Sequence, residues 1–314
     1  MMLNLCKFRN HERFSYIVVT PENFVIMDEI RETGTPVYIE WKNARRILQW
    51  ADIMNLHCSG YNHNLYMMVK SLGKPFVMTL HSTVEMPSLP EITICTALHN
   101  YNIQRDKRNF VAICNGVDLS RFFPRPKTHR DEVIITRVCR TPKCAPYFWQ
   151  AINKVLDRYP QTKLWIVGND EGFGKSTERI KFFGIRRDIP DILAESDIFA
   201  YAPYPNYGSK DLVVMEALAM GVPCVVSDSI AICESVENGK TGFIVPYGNV
   251  DAFADKVSLL VEDAELRANM GQAGIHTAQE RFDMKRITQS YEELYEKVLG
   301  LSHFFVETRV SKFN

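Results

Sequence analysis

The chain has 314 residues, 46% hydrophobic and 24% charged, the balance of a globular protein with room for two domains of ordinary size. Lysine plus arginine and aspartate plus glutamate each total 37, so no overall field recruits nucleic acid or an anionic membrane. Eight scattered cysteines with no CxxC pair read as reduced, buried thiols.

The opening MMLNLCKFRN reads as too short and too charged for a signal peptide, and no apolar run has membrane-spanning length. From there the hydrophobic pattern predicts a strand over Tyr16–Thr20, a helix over Phe24–Glu32, a strand over Pro36–Ile39 and a helix over Asn43–Trp50. A strand over Ile53–His57, a helix over Leu65–Leu72 and strands over Phe76–Leu80 and Val111–Ile113 follow. The segment SRFFPRPKTHR, Ser120–Arg130, is a Pro- and Arg-containing connector. Beyond it come strands over Val133–Arg137, Lys163–Val167, Lys181–Phe183, Ile198–Tyr201, Pro223–Ser227 and Gly242–Val245. Helices are expected over Tyr147–Arg158, Leu212–Met220 and Val250–Val261, with two more over about 263–280 and 285–299. Strand–helix alternation predicts an α/β protein with parallel sheets covered on both faces. The expected organisation is two Rossmann-like domains facing across a cleft, 1–122 and 123–300, with a tail at 301–314 that carries no motif. Ligands in such sheets bind outside the carboxyl ends of the strands.

The most informative stretch is Gly208–Asp228, GSKDLVVMEALAMGVPCVVSD. A polar turn runs into a short apolar helix that Gly221 and Pro223 end before a strand. The N-terminus of such a helix presents unpaired N–H groups and a positive dipole end, a seat for phosphate. Glu216, one turn inside, is a carboxylate among Val, Met, Ala and Leu, and it must find a partner or stay wet. Asn115-Gly116-Val117-Asp118, with Phe122 and Pro124, reads as a turn whose Asn and Gly both tolerate positive φ. Arg137 closes the first strand after the connector, with Lys143 and a rival, Arg140, in the loop beyond. Thr79-Leu80-His81-Ser82 follows a strand, and His57 ends the preceding one.

Together these segments closely resemble the retaining glycosyltransferases of the GT-B fold, family 4, which includes sucrose synthase-like and mannosyltransferase-type enzymes. Leu212 to Ala219 and Gly221-Val222-Pro223 fall in register with that family's E-G-F-G-L-V-V-L-E-A-M-A-C-G-V-P motif. The stretches at 165–170, 183–186, 192–199 and 241–245 and the run LLVEDAELRANMG extend the match. The resemblance is strong from about Asn115 to Leu299 and weaker before it. It implies that Glu216 binds the donor ribose and that the N–H groups of Leu212 and Val213 hold the diphosphate. It further implies that Arg137 and Lys143 clamp the diphosphate, that His81 faces the donor sugar, and that Gly116 lies on the cleft floor near it. Gly168 falls at the end of the family's V-G-x-G strand, and Ile185 follows the strand that cradles the base. The chain departs from the pattern at Gly208, where the family carries its first Glu, and at Ile230-Ala231, where a Gly-Gly is usual. Its start resembles the family's first helix and second strand, so an initial strand is expected to be missing and the first domain shortened.

The reaction this implies moves a sugar, as a hexosyltransferase does, from a UDP- or GDP-linked donor to a glycan, lipid-linked or small-molecule acceptor. A non-catalytic sugar-nucleotide-binding protein, or an inactive partner of a complete transferase, is the alternative that Gly208 and the start motivate. A GT-B epimerase fits the Glu216 and Asn115–Asp118 pattern less well, and no G-x-G-x-x-G follows a strand to suggest a dehydrogenase. No Asp-x-Asp metal motif occurs, so no cofactor or metal is expected. The expected setting is cytoplasmic glycoconjugate or polysaccharide synthesis. Arg45, Arg46 and Trp50 could touch the inner face of a membrane, although a solvated helix face is the plainer reading of them. The open slot of a missing strand would be filled by another segment or by a homodimer through the first domain, or would leave that domain marginally stable.

Overall fold

The computed structural model describes residues 1–20, 26–39, 41–81, 86–87, 92–97, 101–102, 104, 109–139, 145–168, 176–205, 212–229 and 234–300. It divides into two compact units, one made of Met1–Thr96, Asn100–Ile113 and Lys285–Asn314, the other of Ala97–His99 and Cys114–Met284. The expected boundary after Phe122 falls inside the second unit, and the helix expected over 285–299, within the range 123–300, groups with the first.

The second unit is a doubly wound parallel sheet. Its strands are β7 (Val133–Val138), β8 (Thr162–Val167), β9 (Ile180–Phe182), β10 (Ile198–Tyr201), β11 (Cys224–Ser227) and β12 (Gly242–Val245), in the order β12-β11-β10-β7-β8-β9. Runs such as VIITRV, IFAY and CVVS are apolar almost throughout because helices cover both faces. The helices are α5 (Tyr147–Arg158), α6 (Ile189–Ala194), α7 (Leu212–Ala219), α8 (Val250–Glu262) and α9 (Ala264–Arg281). Asn249 and Asp263 cap α8 and α9 by accepting from Ala252 and Leu266 N–H at 3.0 and 2.8 Å. One continuous core runs from Val117 to Phe282 and takes in both faces of the sheet.

The first unit holds its parallel strands in two separate sheets. β1 (Val18–Val19) pairs with β2 (Val37–Tyr38), and β3 (Met54–Cys58), β4 (Phe76–Leu80), β5 (Thr93–Cys95) and β6 (Phe110–Ala112) form a second sheet in that order. Helices α1 (Met2–Phe8), α2 (Met27–Glu32), α3 (Trp41–Leu48) and α4 (His63–Lys70) intervene. Two apolar clusters accompany the two sheets, one around Cys6, Val18, Met27 and Ile30, the other around Met54, Met78, Leu80 and Phe110. Between β1 and β3 lies a cavity of about 1070 Å³ lined by Tyr16, Val18, Leu56 and Leu65 among others.

The hydrogen bonds show which backbone groups face that cavity. Val18 and Thr20 donate to Pro36 and Tyr38, and Met54 donates to Pro75. Successive residues of a parallel strand direct their N–H and C=O groups to opposite sides. Val19 on β1, and Asn55 and His57 on β3, therefore turn their backbones toward the cavity.

The last helix, α10 (Met284–Val298), ties these two parts together. Glu292 accepts from Asn10 N–H at 2.8 Å, Glu296 pairs with Arg13, and Tyr295 accepts from Asn55 Nδ2 at 2.7 Å. β5 went unforeseen because three residues, ITIC in context, offer neither length nor alternation. Among the described residues no helix is long and apolar enough to cross a membrane.

Candidate functional site

The chain leaves β7 for β8 and β9 on one side, then returns to β10, β11 and β12 on the other. The strand order therefore reverses between β7 and β10, the position where open parallel sheets bind ligands. Arg137 is the fifth residue of β7, wholly buried, with its guanidinium carbon 5.5 Å from the centre of the Phe148 ring. Ala145 N–H donates to Ala202 O at 2.8 Å, which ties the start of α5 to the end of β10. Lys143 and Arg140 lie outside the described residues, as do Gly208, Asp211, Ile230 and Ala231.

α7 follows β10 and carries the decisive carboxylate. Val214, Met215, Ala217, Leu218 and Ala219 are buried around it, so this helix is apolar on nearly every side. Leu212 and Val213 form its first turn and are half-buried. Glu216 is half-buried too, and burial pushes its carboxyl up to about 7 against the opposing pull of the Arg121 charge. Gly221, at φ 74°, ends α7 in the left-handed conformation, with Gly221 N–H on Leu218 O and Val222 N–H on Ala217 O at 3.0 and 2.9 Å. α9 lies directly on that end, and a Cβ added to Gly271 would stand 2.3 Å from Gly221 O.

The segment around Gly116 departs from its expected conformation. Neither Asn115 nor Gly116 has positive φ, and neither forms a turn. The next residue, Val117, is instead bridged in parallel to Asp283: Val117 N–H donates to Phe282 O at 2.8 Å and Met284 N–H to Val117 O at 3.1 Å. This tertiary pairing overrides the local Asn-Gly preference. The turn comes later, where Asp118 Oδ1 accepts from Ser120 N–H at 3.0 Å and from its hydroxyl at 2.6 Å. Asn115, Gly116 and Asp118 are all buried.

Gly168 directly follows β8, and its N–H donates to Gly184 O at 2.9 Å. Ile185, 80% exposed, stands just beyond that contact. His81 lies in the first unit, immediately after β4, with Nε2 2.9 Å from His57 Nδ1. Arg121 was not foreseen as a site residue, since its connector, SRFFPRP, shows nothing that links it to Glu216. His57 was foreseen only as a weaker candidate, and its contact with His81 is the feature the sequence concealed. Among the described residues no three His, Cys, Asp or Glu side chains form a group that could hold a metal ion.

The part of the chain that contains this switch point has known relatives. Residues 131–263 match the family described as glycosyl transferases group 1. The chain is also 33% identical over 218 residues to the N-acetyl-alpha-D-glucosaminyl L-malate synthase of Bacillus anthracis, covering 63% of this chain and 56% of the synthase. It is 24% identical to a phosphatidyl-myo-inositol mannosyltransferase of Mycobacterium tuberculosis over 82% of this chain and 78% of that protein. The chain thus spans little more than half the length of the synthase. Among solved structures, a glycosyltransferase from Rickettsia africae superimposes with a TM-score of 0.80 at 17% identity, over 96% of this chain and 94% of that one. Anabaena HepE in complex with UDP and glucose gives 0.75 at 18% identity, over 94% and 95%. The fold is that of the GT-B glycosyltransferases, with a group 1 glycosyl transferase match centred on β7 to α8.

Proposed function

We propose that the protein is a retaining glycosyltransferase of hexosyltransferase type, which moves a sugar from a UDP- or GDP-linked donor to a lipid-linked, glycan or small-molecule acceptor. The observation that carries this reading is Glu216, a carboxyl pushed up to about 7 by burial on an apolar helix beside the switch point of the sheet. A carboxylate placed there at neutral pH is costly until hydroxyl donors reach it, and a ribose supplies two adjacent ones. The N–H groups of Leu212 and Val213, with Arg137 and Lys143, are assigned to the diphosphate, whose charge grows as the sugar leaves. Gly116, Gly168 and Ile185 are assigned to the surroundings of the donor, and His81 to its sugar. This donor site needs no metal, and residues 1–122 are left to contact the acceptor.

The names of the relatives support the reading. The Bacillus synthase and the mycobacterial enzyme are named for transfer to malate and to phosphatidyl-myo-inositol, and the HepE structures hold UDP with glucose or UDP-glucose. The test is calorimetry with UDP and GDP on the wild type and Glu216→Gln, followed by sugar release from the matching nucleotide sugars in the presence and absence of EDTA. Equal nucleotide affinity in the two proteins rejects the assignment of Glu216.

Gly208, where the resembled family carries a Glu toward the sugar, favours one second reading: a protein that binds sugar nucleotides without transferring them. Tight binding with no turnover on any donor would establish it. Trp50, 82% exposed beside exposed Arg45 and Arg46, is the feature a peripheral membrane contact would use, and a homodimer through the first unit would use the backbone edges at its cavity.

A further inference from the structure

The parallel register of β3 and β4 places His57 beside Thr79 and Cys58 beside Leu80, and His81 N–H donates to Cys58 O at 2.9 Å. Side chains alternate across a strand, so Met54, Leu56, Met78 and Leu80 share one face, while Asn55, His57, Thr79 and His81 share the other. The first face belongs to the apolar cluster of this sheet. The second is a polar ladder. Thr79 Oγ1 donates to Asn55 Oδ1 at 2.8 Å and Asn55 Nδ2 to Tyr295 Oη at 2.7 Å, so the lower rungs are satisfied within the fold.

The upper rung is the histidine pair. The two rings lie 5.2 Å apart with 16° between their planes, and Nδ1 of His57 meets Nε2 of His81 at 2.9 Å. Burial, the largest cause for both and joined for His57 by its neighbour, drives both imidazoles well below their ordinary protonation range. Two neutral imidazoles carry one N–H each, so only one of the two facing nitrogens bears a hydrogen. The contact therefore ties the tautomer of His81 to that of His57, and it leaves His81 Nδ1 as the atom with remaining capacity.

We propose that His57 is a positioning residue: by engaging His81 Nε2 it fixes the orientation and tautomer of that imidazole, so that His81 Nδ1 meets a hydroxyl of the donor sugar with a set polarity. This rests on the assignment of His81 to the donor sugar. It adds a residue that acts through His81.

The test compares His57→Phe, which keeps a flat ring but no nitrogen, with His57→Asn, whose amide stands where Nδ1 stood. The Phe variant should lose about tenfold in kcat/KM for sugar transfer, the scale of one hydrogen bond, while binding UDP as the wild type does. In nitrogen-15 spectra of the free full-length protein at neutral pH, His81 should pass from one tautomer to a mixture. The Asn variant should restore most of both. A single unchanged His81 tautomer in the Phe variant overturns the proposal, and so does equal impairment of the Phe and Asn variants. If His81→Ala transfers sugar at the wild-type rate, the underlying assignment of His81 fails instead, and the spectra of the free protein still report on the pair.

Discussion

Among the described residues the second unit lays six parallel strands in one sheet over one core, whereas the first spreads six over two sheets and two apolar clusters with a cavity of about 1070 Å³ between them. Both are built from the same alternation of strand and helix. The difference is continuity: each inner strand of the second unit has both edges paired, while β1 and β3 of the first each leave one edge unpaired by any strand among the described residues. A backbone group paired on a closed sheet opens only when the sheet opens, whereas one at an open edge needs only a local fluctuation. The unit assigned to hold the nucleotide is thus expected to open less readily than the unit assigned to the acceptor.

Hydrogen exchange offers the widest test of that contrast. Amides of β7, β10 and β11 should exchange at the global unfolding limit, and those of Val19, Asn55 and His57 at least ~100-fold faster. Uniformly slow exchange in both units would break the comparison outright.

Glu216→Gln sharpens it, because in a stiff unit function and stability oppose each other. The variant should bind nucleotide about 10- to 150-fold more weakly, the loss of a charge-assisted hydrogen bond. The sign for stability follows from linkage. The folded carboxyl titrates at about 7, above its ordinary value of 4.5, so the native state binds the extra proton and stability falls as pH rises from one value to the other. The melting temperature of Glu216→Gln should therefore exceed that of the wild type above about pH 7.5 and converge with it below about pH 4. Thermal scans across this range would refute the idea if the gap were constant or reversed.

Gly271→Ala probes how tightly the stiff unit is packed. Its Cβ would fall 2.3 Å from Gly221 O, backbone that cannot swing aside, so α9 must lift from α7 at a cost of about 1–3 kcal/mol. Urea titration should show the loss, and an unchanged midpoint would mean that the two helices do not meet so closely. Smallest of all, Asp118→Ala removes the acceptor of two Ser120 bonds and should cost ~1 kcal/mol, again read by urea titration. A loss well above that would mean Asp118 holds more of the connector than this turn.

The stiff unit was also the legible one. Its strands are unbroken apolar runs and its helices have Asn, Asp or Gly at their ends, so β7, β10, α7 and β11 stand within two residues of where the sequence puts them. Glu216 stood out because a lone acid in an apolar helix is conspicuous by composition alone. What stayed hidden depended on partners far along the chain. Asn115-Gly116 has the local signature of a turn and forms none, next to Val117, which pairs with Phe282 and Met284. Nothing near His57 announces His81, and Arg121 gains its influence over Glu216 only through the fold. The separation of β1 from β3 and the recruitment of α10 to the first unit are likewise long-range outcomes, which no local pattern encodes.

The passage of the chain from one unit into the other and back sets an order of events during synthesis. The second unit is essentially one uninterrupted stretch, 114–284, and every strand and helix of its core lies within it. The first unit is not, since Glu292, Tyr295 and Glu296 must reach Asn10, Asn55 and Arg13 from a helix made last. At ordinary elongation rates, about 10–30 s pass while residues 114–284 emerge, during which the earlier strands wait without their closing helix. The half that is translated first is thus the half completed last.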